Sequence, residues 1–272
     1  MVGIQIAFKK FQAALGIWGS PWVGLYQFER FFSLPNFKNL IINTVSITVY
    51  RLVAGFPLPI ILALIINAFP YKKTKKLIQT ISYMPYFISV VVVVGMLKML
   101  LHSRLGVVGV IYYRIFGEYM SDIFAYSSVF PHLFVWSGIW QGLGWGTIIY
   151  IAALSSVDME LHEAAEIDGA SRLQRIRHID FPSILPTTII LLILSFGDIM
   201  SLGFEKVYLM QNQMNIARSE VISTYVYKVS LTRGVGDFSF GTAIGLFNTV
   251  INFILLIIVN FIAKKVVDYS LF

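Results

Sequence analysis

The sequence predicts an all-α integral membrane protein with about five transmembrane helices and a polar helix-turn-helix between the third and the fourth. Hydrophobic residues make up 57% of its 272 positions and charged residues 13%, about half the charge of an average soluble domain, which is roughly 25%. Five apolar runs reach the roughly 20 residues needed to cross a hydrocarbon core. Between the third and fourth runs, residues 161–182 instead carry acids, bases, serine and glycine at helical spacing. The runs are helices because an open strand would leave its backbone unpaired in lipid.

The first run, Leu40 to Phe69, contains Arg51, which suits an interfacial helix followed by a span. Leu77 to Leu101 forms the second and follows Lys72, Lys73, Lys75 and Lys76. Val129 to Leu154 is the third, Ser183 to Phe204 the fourth, and Phe240 to Ala263 the fifth, ending at Lys264 and Lys265. Pro57, Pro59, Pro85 and Pro186 predict kinks rather than breaks, since neighbouring helices can satisfy the freed carbonyls. No repeat, low-complexity stretch or Ser/Gly linker divides the chain, so 1–272 reads as a single domain.

The formal charge of +7 sits largely at the ends of apolar runs, which indicates membrane topology rather than nucleic-acid binding. Arg51 and Lys98 lie at depths from which they snorkel to the interface. Zero cysteines exclude disulfides, thiolate metal sites and a cysteine nucleophile. His102, His132, His162 and His178 lack metal-ligand spacing, and Gly142-x-Gly144-x-Gly146 lies inside a span rather than after a strand. The chain has no Gly-x-x-x-x-Gly-Lys-Ser/Thr loop to hold nucleotide phosphates, so no cofactor is expected on it and any ATP must be bound by partner subunits.

In the polar segment, Leu161, Ala164 and Ala165 fall at i, i+3 and i+4 on one narrow apolar face, with Glu160, Glu163 and Glu166 turned away. Two alanines let such a face sink into a partner's groove. Gly169 stands where a left-handed residue ends a helix, with Asp168 before it, and Ser171 with Gln174 forms a capping box for the next helix. That second helix carries Leu173 and Ile176 among Arg172, Arg175 and Arg177, and Pro182 is expected to stop it.

Glu163-Ala164-Ala165, three residues, Gly169, nine residues, then Ile179-Asp180-Phe181-Pro182 resembles the EAA loop of permease subunits of ATP-binding-cassette importers, with Phe181 in place of the usual Leu. Gly3 to Phe8 and Gly16 to Leu25 resemble the stretch that follows the first transmembrane helix in carbohydrate-type permeases, and Gly197 to Met210 resembles sugar permeases of the LplB type. The resemblance implies a type I importer permease, ordinarily of six helices, in a bacterial plasma membrane. It further implies a second permease subunit, two ATP-binding-cassette ATPase subunits, an extracellular solute-binding lipoprotein and a sugar substrate. In such an assembly Glu163 holds the loop through polar contacts, Ala164 and Ala165 give the fit, and Gly169 the turn.

Orientation follows from the same resemblance: the EAA-like loop faces the cytosol, and so do the Tyr71 to Lys76 loop and the C-terminus. Counting Lys and Arg gives nine on the cytosolic side and ten on the other, so charge by itself does not orient the chain. Five spans then place residues 1–38 outside despite Lys9, Lys10, Arg30 and Lys38, and an upstream first helix is expected. Trp136 and Trp140 share a face of the third span with Gln141 nearby, either lining the translocation path or anchoring at an interface. Asp198, near the outer end of the fourth run, is either a functional intramembrane acid or a hydrated interfacial one. Gly138, Gly142 and Gly146 suggest a helix-packing seam. A secondary transporter or channel is the alternative, but it would show paired repeats or midplane charges. An intramembrane protease would need a catalytic partner for Asp198 in another span.

Overall fold

The computed structural model of the chain describes residues 2–232 and 237–267; the end of the C-terminal tail assigned to the cytosol, residues 268–272, lies outside the described residues. The α-helices are α1 (Gly16–Gly19), α2 (Tyr26–Phe32), α3 (Phe37–Gly55), α4 (Pro57–Ala68), α5 (Lys72–Tyr83), α6 (Val90–Leu100), α7 (Val107–Phe116) and α8 (Phe130–Ser155). They continue with α9 (Met159–Ile167), α10 (Arg172–Arg175), α11 (Phe181–Phe196), α12 (Phe204–Met210), α13 (Ile216–Ser219), α14 (Ile222–Tyr227) and α15 (Phe238–Val267). Among the described residues the β contribution is an isolated bridge between Lys9 and Trp22. Among the described residues three helical stretches, Phe37–Ala68, Arg172–Phe196 and Phe238–Lys265, are long and apolar enough to cross a membrane, and five if each of two bent helix pairs counts as one span. Large apolar side chains such as Phe253 and Phe261 remain 63% and 67% exposed on α15, a surface that suits lipid rather than water.

The helices gather into two compact units: Met1–Val49, Val90–Phe134 and Asp198–Leu255 form the first, and Tyr50–Ser89, Val135–Gly197 and Leu256–Phe272 the second. Each draws on three separate stretches, so neither is a contiguous sequence domain. In the first unit, polar side chains on α3 bind the backbone of the α13–α14 segment. Asn43 Nδ2 donates to the carbonyls of Ala217 and Glu220, both at 3.0 Å. Thr44 Oγ1 donates to Leu40 O at 2.8 Å while accepting from Ile222 N at 3.1 Å. Such bonds satisfy backbone groups that lipid cannot.

The second unit packs α4, α8 and α11 around Ile60, Ala63, Tyr150, Leu154 and Ile184. Lipid tails are as apolar as these side chains, so close packing rather than the hydrophobic effect holds the helices together. The fully buried Ala63 allows that approach.

Four expectations are corrected. The second run is not one kinked helix: α5 ends at Tyr83, a 3-10 turn spans Met84–Phe87, and Ile88 is extended before α6. Pro85 lies in the turn, where its missing N–H is tolerated. The fourth span ends at Phe196 rather than Phe204. Beyond it, Asn252 Oδ1 accepts from Met200 N at 2.9 Å and its Nδ2 donates to Ser201 Oγ at 2.9 Å, so the turn's polar groups are satisfied without a helix. Nor does Pro182 stop the loop's second helix. A π-helical turn, Ile176–Asp180, joins α10 to α11, and its wider winding accommodates the proline, so Arg172–Phe196 is one helical stretch. Last, the seam on α8 is corrected in part: Gly146 approaches Pro59 as a seam residue, with a Cβ there 3.0 Å away, but a Cβ on Gly142 would meet nothing within 4 Å, and it is Gly144 whose Cβ would lie 2.0 Å from Ser82 O.

Candidate functional site

The polar loop is built by capping at every end. Asp158 accepts from Glu160 N at 2.9 Å and starts α9. At the other end Gly169 adopts φ 76°, Ala170 N donates to Ala165 O at 2.8 Å and Gly169 N to Glu166 O at 3.0 Å. That is a Schellman motif, with Asp168 as the C-cap residue. The capping box is formed in full: Gln174 N donates to Ser171 Oγ at 3.4 Å and Ser171 N to Gln174 Oε1 at 2.7 Å. Arg175 then pairs with Glu166 across the turn, fixing the second helix against the first.

No residue of α9 is buried. Leu161, Glu163, Ala164 and Asp168 are exposed and Ala165 half-buried, so the expected small-residue face is open. Ile167 is 87% exposed and Leu173 73%. Leu173 is the apolar residue expected on the second helix, whereas Ile167 falls outside the i, i+3, i+4 pattern of Leu161 and is not part of the expected face. Pro182 is exposed and Ile179 half-buried at the start of the span. The capped turn thus carries an exposed apolar surface rimmed by acids.

Beneath the loop lies a polar junction that the sequence pattern does not reveal. Asp180 is 3% exposed. It accepts a 3.2 Å hydrogen bond from Asn67 Nδ2, at the end of α4, and sits 3.3 Å from His162 Nε2 on α9. Three elements thus meet on one carboxylate, beside a cleft of about 320 Å³ that Lys75, Arg172 and Arg175 also line. The available signal is that Asp180 is the one acid in the Arg172–Phe196 stretch, since an acid at the mouth of a span needs partners.

The third-span residues find partners that their spacing does not specify. Gln141 Nε2 donates to Ile88 O at 2.8 Å, supplying the bond that the extended Ile88 carbonyl loses at the break. Trp145 stacks on Tyr86 at 4.4 Å and 3°, and Gly144 meets the Ser82 backbone. Residues 141–145 therefore clamp the Ser82–Ile88 break, a role assigned by contact rather than by spacing. Trp136 Nε1 donates to Tyr50 Oη at 2.8 Å, and both Trp136 and Trp140 keep about half their surface open. Asp198 lies in the first unit, exposed, with its carbonyl accepting from Ser201 N at 3.0 Å.

Residues 55–268 match the family model of the binding-protein-dependent transport system inner membrane component. The chain belongs to this family: it is a permease subunit of a transport system and not an enzyme. Protein LplB of Bacillus subtilis (strain 168) is 41% identical over 272 residues, which is 100% of this chain and 85% of that protein. The polygalacturonan/rhamnogalacturonan transport system permease protein YteP of the same organism is 42% identical over 265 residues, 97% of this chain and 82% of that one. A solved bacterial ABC transporter involved in the import of the acidic polysaccharide alginate contains a chain that superposes with a TM-score of 0.89 at 34% identity, covering 98% of this chain and 89% of that one.

Proposed function

We propose that the chain forms half of the translocation path of an ATP-binding-cassette importer for oligosaccharides, pairing with a second permease subunit. The α9–α10 turn docks on one of two ATPase subunits that bind the ATP, and an extracellular solute-binding lipoprotein delivers the sugar. The loop and the C-terminus face the cytosol of a bacterial plasma membrane. One observation carries the reading: the exposed, capped turn at Gly169 leads through α10 and the π-helical turn into α11 without a break. A push on the docked turn therefore acts directly on a membrane-spanning helix. Trp136 and Trp140 offer ring faces to sugar C–H groups along the path, and Gln141 positions the break beside them. The oligosaccharide class is supported by the relatives, one named for polygalacturonan and rhamnogalacturonan and one solved with an alginate pentasaccharide-bound periplasmic protein. The test is reconstitution of the chain with its partner permease, ATPase and binding protein in proteoliposomes. Oligosaccharide uptake that requires ATP and the sugar-loaded binding protein is expected, and uptake that proceeds without ATP, driven by an ion gradient, overturns the reading.

A further inference from the structure

We propose that His162 is a positioning residue for coupling, whose proton sets how firmly the docked hairpin holds the membrane helix behind it. The inference deepens the importer reading above, in which the turn at Gly169 meets an ATPase subunit in the cytosol. On α9 the docking side and the inner side are separate. Leu161, Glu163 and Ala164 are exposed, while the His162 side chain between them is 17% exposed and turns beneath the hairpin. There its Nε2 stands 3.3 Å from Oδ1 of Asp180, in the π-helical turn that leads into α11. The same oxygen accepts from Asn67 Nδ2 of α4 at 3.2 Å. His162 therefore ties α9 to a carboxylate that already anchors the span.

Charge makes this tie variable. The other ionic groups around the cleft are Lys75 from α5, Glu166 from α9, and Arg172 and Arg175 from α10, of which Glu166 and Arg175 pair with each other. From α4 comes the uncharged Asn67. His162 is the one histidine lining the cleft, and histidine is the side chain that ordinarily changes charge between about pH 5 and 8. With its proton the ring is a cation against the Asp180 carboxylate. Without it a single N–H remains, and the attraction between full charges is gone. That attraction is present on the acid side of the imidazole's titration and is lost as the pH rises through it. The partly open ring borders a cleft of about 320 Å³, so its charge follows the pH of the surrounding water. His178, in the same turn, is exposed with its Nδ1 2.9 Å from Gln174 O and serves as the internal control.

The experiment measures ATP hydrolysed per sugar imported by proteoliposomes of the complete importer, given a mixed digest of acidic polysaccharides. ATP is enclosed with buffer at about pH 6 or about pH 8, the two sides of an ordinary imidazole titration, and the outside is held constant. In the wild type the ratio is expected to rise about twofold to fivefold from the acid to the alkaline lumen, the scale of weakening one ionic hydrogen bond. His162→Gln keeps an N–H donor and has no proton to lose, so its ratio is expected to stay at the higher value at both pH values. His162→Lys, charged at both, is expected to stay at the lower one. His178→Gln is expected to respond as the wild type does. A flat wild-type ratio, or the wild-type response surviving in His162→Gln, overturns the proposal. Amide exchange in α9 and α10, corrected for the intrinsic effect of pH, is followed in the unaltered importer and needs no variant to assemble. Lower protection at the alkaline pH supports the tie, and equal protection overturns it. Absence of ATP-driven uptake from the digest at both pH values rejects the importer reading, while amide exchange still decides the tie.

Discussion

Gly169 holds φ 76° at the C′ position of α9, where a side chain with a Cβ branch costs about 1–2 kcal/mol or more. Gly169→Val should therefore redirect α10 and abolish uptake while the protein still inserts in the membrane. Transport at the wild-type rate by that variant, measured in the reconstituted system, would remove the turn from the coupling argument. Gly144 is constrained for a different reason, proximity rather than dihedral: its Cβ would lie 2.0 Å from a backbone oxygen of Ser82, whereas Gly142, two residues away, faces open space. Gly144→Ala should lower the thermal midpoint, on the scale of about 1–3 kcal/mol for an overpacked site, and Gly142→Ala should not. Size-exclusion after a temperature ramp compares the two, and equal loss in both variants would contradict the clamp at Ser82–Ile88.

At the scale of the element, the proposed coupling requires that the loop's two helices and the helix that follows move together. The Schellman motif and capping box give the hairpin its angle. The π-helical turn makes α10 and α11 continuous, and Asp180 ties that turn to α4 and α9. Asp180→Ala leaves Asn67 and His162 without their shared acceptor, at about 1–3 kcal/mol. The expected result is a complex that assembles and hydrolyses ATP but imports sugar slowly, read as a raised ratio of ATP hydrolysed to sugar moved. An unchanged ratio would make Asp180 a packing residue only.

For the whole molecule, the importer proposed above puts the motor on a separate ATPase subunit, since the sequence carries no phosphate-binding loop. The purified chain should hydrolyse no ATP until an ATPase subunit is added, and hydrolysis by a preparation shown by mass spectrometry to hold this chain alone would contradict that. Each of the two units gathers three separated stretches, so a truncation anywhere between Tyr50 and Gly197 removes parts of both. Fragments cut there should fail to insert stably, which protease protection in membranes measures.

The sequence by itself determined the all-helical membrane class, because apolar runs of spanning length leave the backbone no other solution. It also determined the loop's caps, because a Schellman turn and a capping box are local and are spelled out by Gly169, Ser171 and Gln174. What only the tertiary structure decided are the partners brought together from afar. Gln141 reaches Ile88, Gly144 meets Ser82, and Asp180 collects Asn67 and His162. Helical periodicity says which residues share a face, but not which backbone that face will meet. The break at Pro85 and the continuity through Pro182 follow the same rule: proline removes one donor in both places, and whether the helix stops depends on whether neighbouring groups and a wider turn satisfy what is left.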